Sequence, residues 1–123
     1  MILVDTSVWV DHLRAANAAL AALLTSGQVL THPFIIGELA LGALRQRDVV
    51  LGSLRDLPQA TVAGDDEVLR FIDQHRLNGR GIGYIDAHLL VAVRLTPGAL
   101  LLTRDKKLSA VANALSLSAT ARR

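Results

Sequence analysis

The chain alternates short, wholly apolar runs with longer stretches in which apolar residues recur at helical spacing. Met1-Ile2-Leu3-Val4 and Ala99-Leu100-Leu101-Leu102 are runs of the first kind, and each reads as a strand buried on both faces of a helix-covered parallel sheet. Gln28 to Thr31 is a third short strand, with Thr61 and Val62 as a minor fourth. Thr6 or Ser7 is placed to cap a helix carrying Val8, Trp9, Val10 and Leu13. An alanine-rich helix with Leu20, Leu23 and Leu24 follows and stops at Gly27. Pro33 suits the first turn of a helix that runs through Leu44. A more polar helix then spans Arg45 to Leu57, before Pro58.

Asp65, Asp66 and Glu67 crowd the start of the next helix, where negative charge favours the dipole. Val68, Leu69 and Ile72 form its apolar face, and Asn78-Gly79 ends it. The stretch Gly81 to Asp86 opens an apolar helix reaching about Leu95; Leu89 to Val93 alone fits a strand, but the length of the whole run favours helix. A last helix carries Leu108, Val111 and Leu115, and a small, polar tail runs from Ser116 to Arg122-Arg123. Strands alternating with helices predict an α/β fold, an α/β/α sandwich around a central parallel sheet. At 123 residues, a single domain spans 1–123.

Composition narrows the class. Hydrophobic residues make up 51%, which excludes a disordered chain, and no apolar run approaches the roughly 18 residues that span a bilayer. Asp5 interrupts the first apolar run and no basic segment precedes it, so no signal peptide is expected. With no cysteine, disulfides and thiolate metal sites are unavailable. A soluble cytoplasmic protein fits best. The formal charge is +2, from 13 basic and 11 acidic residues. Setting four of the acids aside in a site leaves a basic surface suited to a polyanion. Trp9, Phe34, Phe71 and Tyr84 are the only aromatics, so recognition would rest on backbone charge and shape rather than on base stacking.

Three acids stand alone in apolar surroundings. Asp5 follows the first strand, at the carboxyl end where open α/β sheets bind ligands. Glu38 is the only charge between Arg14 and Arg45, and its helical neighbours are Phe34, Ile35, Leu41 and Gly42. Asp86 is the only charge between Arg80 and Arg94. An ionised carboxylate in such a setting costs several kcal/mol unless compensated, and no lysine or arginine lies within helical reach of Glu38 or Asp86. A divalent cation would compensate, and all-oxygen ligation points to Mg²⁺ or Mn²⁺. Asp105, one step past the last strand as Asp5 is past the first, is the fourth candidate. Plainer readings stand beside these: Asp5 as a helix cap, Glu38 as a surface acid or partner of a distant arginine, Asp105 as part of a solvated basic turn. His12, His32, His75 and His88 show no metal spacing and read as structural or surface residues. Gly81-x-Gly83 lacks the strand and third glycine of a dinucleotide loop.

Val4-Asp5-Thr6-Ser7, Ile36-Gly37-Glu38-Leu39, Gly81 through Leu90 and Leu102 through Leu108 resemble, in order and spacing, the four acidic motifs of PIN-domain nucleases. From end to end the chain resembles the VapC-like toxins of bacterial toxin–antitoxin pairs. That resemblance implies Asp5 on the middle strand, Mg²⁺-dependent RNA cleavage with Mn²⁺ as a substitute, homodimers, and inhibition by a cognate antitoxin. It carries Asp5, Glu38, Asp86 and Asp105 over as catalytic, metal-binding acids, with Thr6 and Thr103 as hydroxyl helpers. A further acid that some members have after the fourth motif is replaced here by Lys106, Lys107 and Leu108. Arg80, Arg104, Lys106 and Lys107 are candidate phosphate contacts. Receiver domains and haloacid-type phosphatases are excluded, the latter because Ser7 stands where a second Asp is needed. The remaining alternative is a catalytically silent PIN scaffold that binds RNA or a protein, and its expected mark, a lost acid, is absent.

Overall fold

In the computed structural model, which describes residues 1–119, elements follow in the order β1 (Ile2–Val4), α1 (Thr6–Arg14), α2 (Ala18–Thr25), β2 (Val29–Leu30), α3 (Pro33–Ala40), α4 (Arg47–Arg55), α5 (Asp65–Gln74), α6 (Tyr84–Leu95), β3 (Leu100–Leu102) and α7 (Lys106–Ala114). The strands form a parallel sheet in the order β2-β1-β3, so the first strand is the middle one. Leu3 and Val4 point to opposite faces and both are fully buried, so helices cover the sheet on both sides. This is the expected mixed α/β sandwich. Its apolar residues, from Leu3 to Leu117, form one contiguous core.

Isolated parallel bridges widen the sheet at both edges. Thr31 pairs with Gln59, and Leu101 with Ser118. The first corrects the expected minor strand at Thr61 and Val62: the chain joins β2 two residues earlier, with Thr31 N–H donating to Pro58 and Ala60 N–H to Thr31, while Val62 is left half exposed. The second corrects the polar tail, because Leu117 and Ser118 are buried and the backbone on either side bonds to both polar groups of Leu101. Arg122 and Arg123 lie outside the described residues.

Helix ends also differ from the sequence expectation. The third helix stops at Ala40 rather than Leu44: Leu41 is 91% exposed, so continuing the helix would bury nothing there, and Gly42 is a weak helix former. The polar helix begins only at Arg47, because Gln46 takes a left-handed φ of 52°. α5 ends at Gln74, since Arg76 is left-handed as well (φ 52°); Phe71, rather than the exposed Leu69, completes its buried face. α6 is helical throughout, and its seven residues Ala87 to Val93 are all buried. A helix apolar all round belongs inside a core.

His32 is fully buried and caps α3, its Nδ1 accepting from Phe34 N–H at 3.0 Å. Burial, and secondarily the charge of His88, lower its pKa from 6.5 to about 4. A folded pKa below the unfolded one means that stability is full above pH 6.5 and is lost as pH falls toward 4. The effect is on the order of 3 kcal/mol. His32→Asn, which keeps a capping oxygen, should show a flatter acid limb than wild type. Urea unfolding followed by Trp9 fluorescence between pH 7.5 and 4 measures it, and parallel limbs would remove His32 as the cause.

Candidate active site

The site is built on the strand register. Val4 pairs with Leu102, so the next residues, Asp5 and Thr103, leave the sheet side by side. Asp5 remains in the ladder through its N–H to Leu102 O at 2.9 Å. Its backbone occupies the cap position of α1, but its side chain makes no capping bond. Asp5 Oδ2 instead accepts from Thr103 Oγ1 at 2.8 Å and from Ser7 Oγ at 2.9 Å. Ser7 Oγ also accepts from Arg104 N–H at 3.0 Å. Thr6 and Ser7 are therefore not caps, as their position suggested: Ser7 ties two strand ends together, and Thr6 Oγ1 donates to Glu38 Oε1 at 2.6 Å.

The remaining acids sit on helix starts. Asp86 is in the first turn of α6, where its Oδ2 accepts from Gly83 N–H at 3.0 Å. Asp105 caps α7, its Oδ1 accepting from Lys107 and Leu108 N–H at 2.9 and 3.0 Å, and its own N–H donates to Thr103 Oγ1 at 3.1 Å. The plainer reading of Asp105 as a solvated residue is thus partly right, since it is exposed and capping.

In each case one carboxylate oxygen is engaged. Asp5 Oδ1, Glu38 Oε2, Asp86 Oδ1 and Asp105 Oδ2 have no donor among the described residues. Nor does a lysine or arginine there come within 4.0 Å of any of the four carboxylates. Burial raises the pKa of Asp86, the Gly83 N–H opposes this, and the charges of Asp5, Asp105 and Glu38 raise it further. The four acids therefore share one field. They stop short of a closed cage: among the described residues, no three histidine or acidic side chains are already grouped to hold an ion. The donor chemistry nonetheless fits a hard divalent cation, with one free oxygen per carboxylate, no sulfur or imidazole in the set, and uncompensated negative charge.

The basic candidates diverge. Arg104 pairs with Asp11 at 2.7 Å. Lys107 lies across Gly81, where a Cβ would come within 2.6 Å of its Cδ and where φ is +79°; the exposed lysine side chain can swing aside, so the glycine is required there for its left-handed conformation. Arg80 and Lys106 are exposed and have no ion-pair partner among the described residues. Beside Glu38 opens a groove of ≈ 610 Å³, lined mainly by Val10, Leu13, Leu39, Leu44 and Val50, with Arg14 and Arg45.

Sequence reasoning missed Ser7, whose role depends on a register no local pattern reveals, and set aside His88, which proves buried and bonded to Asp65.

Asp86 generates a direct test. Its folded pKa lies above 3.8, so its favourable contribution is present below that value and lost as pH rises through the folded pKa. At neutral pH and in EDTA, Asp86→Asn should melt at or above wild type, and the difference should shrink toward pH 3. A variant melting well below wild type would make Asp86 a structural hydrogen-bonding residue instead.

A family model described as PIN domain matches residues 2–114. Two curated proteins, each named Ribonuclease VapC32, come from Mycobacterium tuberculosis strains CDC 1551 / Oshkosh and ATCC 25618 / H37Rv. Each is 56% identical to this chain over 110 residues, covering 89% of this chain and 89% of the relative.

Proposed function

The chain belongs to the PIN-domain family, as a VapC-like ribonuclease, and from that premise we propose that it hydrolyses RNA phosphodiester bonds at the Asp5, Glu38, Asp86 and Asp105 pocket, as the toxin of a toxin–antitoxin pair. The observation that carries the assignment of the pocket is that each of the four carboxylates keeps one oxygen without a donor, and none has a lysine or arginine within 4.0 Å, among the described residues; burial and then the charges of the other three acids push the pKa of Asp86 up accordingly. Such a field repels RNA unless a cation offsets it. Held by these four residues, Mg²⁺, with Mn²⁺ as a substitute, would activate water and neutralise charge on the phosphate and leaving oxygen.

The chain's own groups prepare that chemistry. Ser7 and Thr103 immobilise Asp5 Oδ2, and Thr6 immobilises Glu38 Oε1, so the free oxygens are held on fixed supports. Arg80, Arg104, Lys106 and Lys107 flank Asp86 and Asp105 in sequence and offer positive charge to RNA phosphates. Trp9 and Phe71 are buried and the Tyr84 hydroxyl is engaged by Asp65, which favours recognition of backbone over bases. On the toxin reading the protein acts in the cytoplasm, on RNA of the cell that makes it. No helix among the described residues is long and apolar enough to cross a membrane. Leu41 and Val49, 91% and 65% exposed, are surfaces that a homodimer would cover.

Purified protein should cleave RNA with Mg²⁺ or Mn²⁺ and lose activity in EDTA. Asp5→Asn should reduce cleavage by roughly 10²–10³-fold, the range for losing one preorganised electrostatic group, in a folded protein. Cleavage undiminished by EDTA would overturn the metal mechanism.

The groove beside Glu38 supports a second outcome. An antitoxin lying across it would bring an arginine or lysine to the carboxylates in place of the cation. Replacing that basic residue with alanine should weaken inhibition in a cleavage assay; inhibition unaffected by removing every basic residue near the pocket would sink this account.

A further inference from the structure

His88 lies two residues beyond Asp86 on α6 and is 2% exposed, yet its ring meets three separate groups. Its Nε2 is 3.2 Å from Asp65 Oδ1, at the first residue of α5. Tyr84, at the first residue of α6, stands edge-on at 4.7 Å between ring centroids and donates its hydroxyl to the same Asp65 oxygen at 2.8 Å. Phe34, on α3, stands edge-on at 4.8 Å. On the other side Phe34 meets the ring of His32 at 5.1 Å, and His32 accepts the Phe34 N–H.

The polarity of these contacts fixes the imidazole. Asp65 is an acceptor, so the neutral ring carries its hydrogen on Nε2, and Nδ1 is buried without a hydrogen-bond partner among the described residues. A buried nitrogen left unpaired costs free energy, and a hydrophobic residue would fill the same space without that cost. What the histidine supplies is a directed bond from the inside of α6 to the outer end of α5.

Through Phe34 the ring also links the two helices that carry Glu38 and Asp86. Glu38 is one helical turn beyond Phe34 on α3 and so shares its face. Asp86 belongs to the opening turns of α6 that Tyr84 and His88 hold to Asp65. Shifts of the Phe34–His88 contact would move the helix carrying Glu38 against the helix carrying Asp86.

We propose that His88 is a positioning residue, which through its bond to Asp65 and its contact with Phe34 sets the separation of Glu38 and Asp86 and thereby the cation affinity of the pocket. This rests on the reading of the pocket as a cation site. Asp65 and Tyr84 are the outer anchors of the same device.

The test measures Mn²⁺ dissociation constants by titration of purified, RNA-free protein, with unfolding midpoints recorded in EDTA. His88→Leu removes the donor at similar bulk, while His88→Gln places an amide nitrogen near the position of Nε2. Asp65→Ala removes the acceptor from a side chain that is 78% exposed, so it tests the same bond even where His88→Leu fails to fold. Expected are affinities weakened about tenfold in Asp65→Ala and His88→Leu, the scale for groups that orient ligands, and near-wild-type affinity in His88→Gln. A purely structural histidine would lower the unfolding midpoint and leave the Mn²⁺ affinity of the folded protein unchanged; that result overturns the proposal while leaving the cation site standing. Wild type that binds no Mn²⁺ overturns both.

Discussion

A carboxylate buried at the end of the central strand is the constraint on which the site depends. Asp5 is 6% exposed, and a charge so placed is tolerated only where hydrogen bonds replace its lost water. Two hydroxyls provide them, and one, Thr103, is adjacent only because Val4 and Leu102 are in register. A one-residue slip would turn every side chain of the strand to the other face, taking Thr103 from Asp5 and Asp5 from the pocket. The same hydroxyl accepts from Asp105 N–H, so the cap of α7 is tied to the central strand through one oxygen. Packing of Leu3, Val4 and Leu101 in the core and placement of two acids in the site are thus one geometric condition.

α6 imposes the complementary condition. Its middle is entirely buried, which fixes the helix as a rigid support, while its first turn emerges beside the other acids. The charge of Asp86 is offset locally by one backbone N–H and opposed by three carboxylates. The protein holds negative charge together that, by itself, would disperse. This is the electrostatic signature of a site adapted to something positive.

Much of this was legible in the chain. The runs Ile2–Val4 and Leu100–Leu102 announced buried strands because they lack polar residues, and isolated acids in apolar surroundings marked Asp5, Glu38 and Asp86. The limits of the helices were harder to read. Gln46 and Arg76 adopt left-handed backbone that no glycine or asparagine signals, and Leu41 looks like a core residue but faces solvent. Ser7 and His88 were hidden for another reason: their roles arise from partners 96 and 23 residues away, and neither spacing has a local signature. Lone charges are conspicuous in a sequence, whereas the neutral groups that hold them in place resemble any other serine or histidine.

The bond between Thr103 and Asp5 spans 98 positions of sequence, and the backbone around Ser118 completes the far edge of β3. Such long-range pairing cannot form until both segments are present, and closing so long a loop is slow. A ribosome making this chain therefore supplies Asp5 first and its partner 98 positions later. Until then the emerging polypeptide has a first strand with nothing to pair on the β3 side and acids with no common pocket. The pocket is thus assembled only once the stretch carrying Thr103 and Asp105 has joined the first strand, and the order of synthesis sets the earliest moment at which its acids can act together.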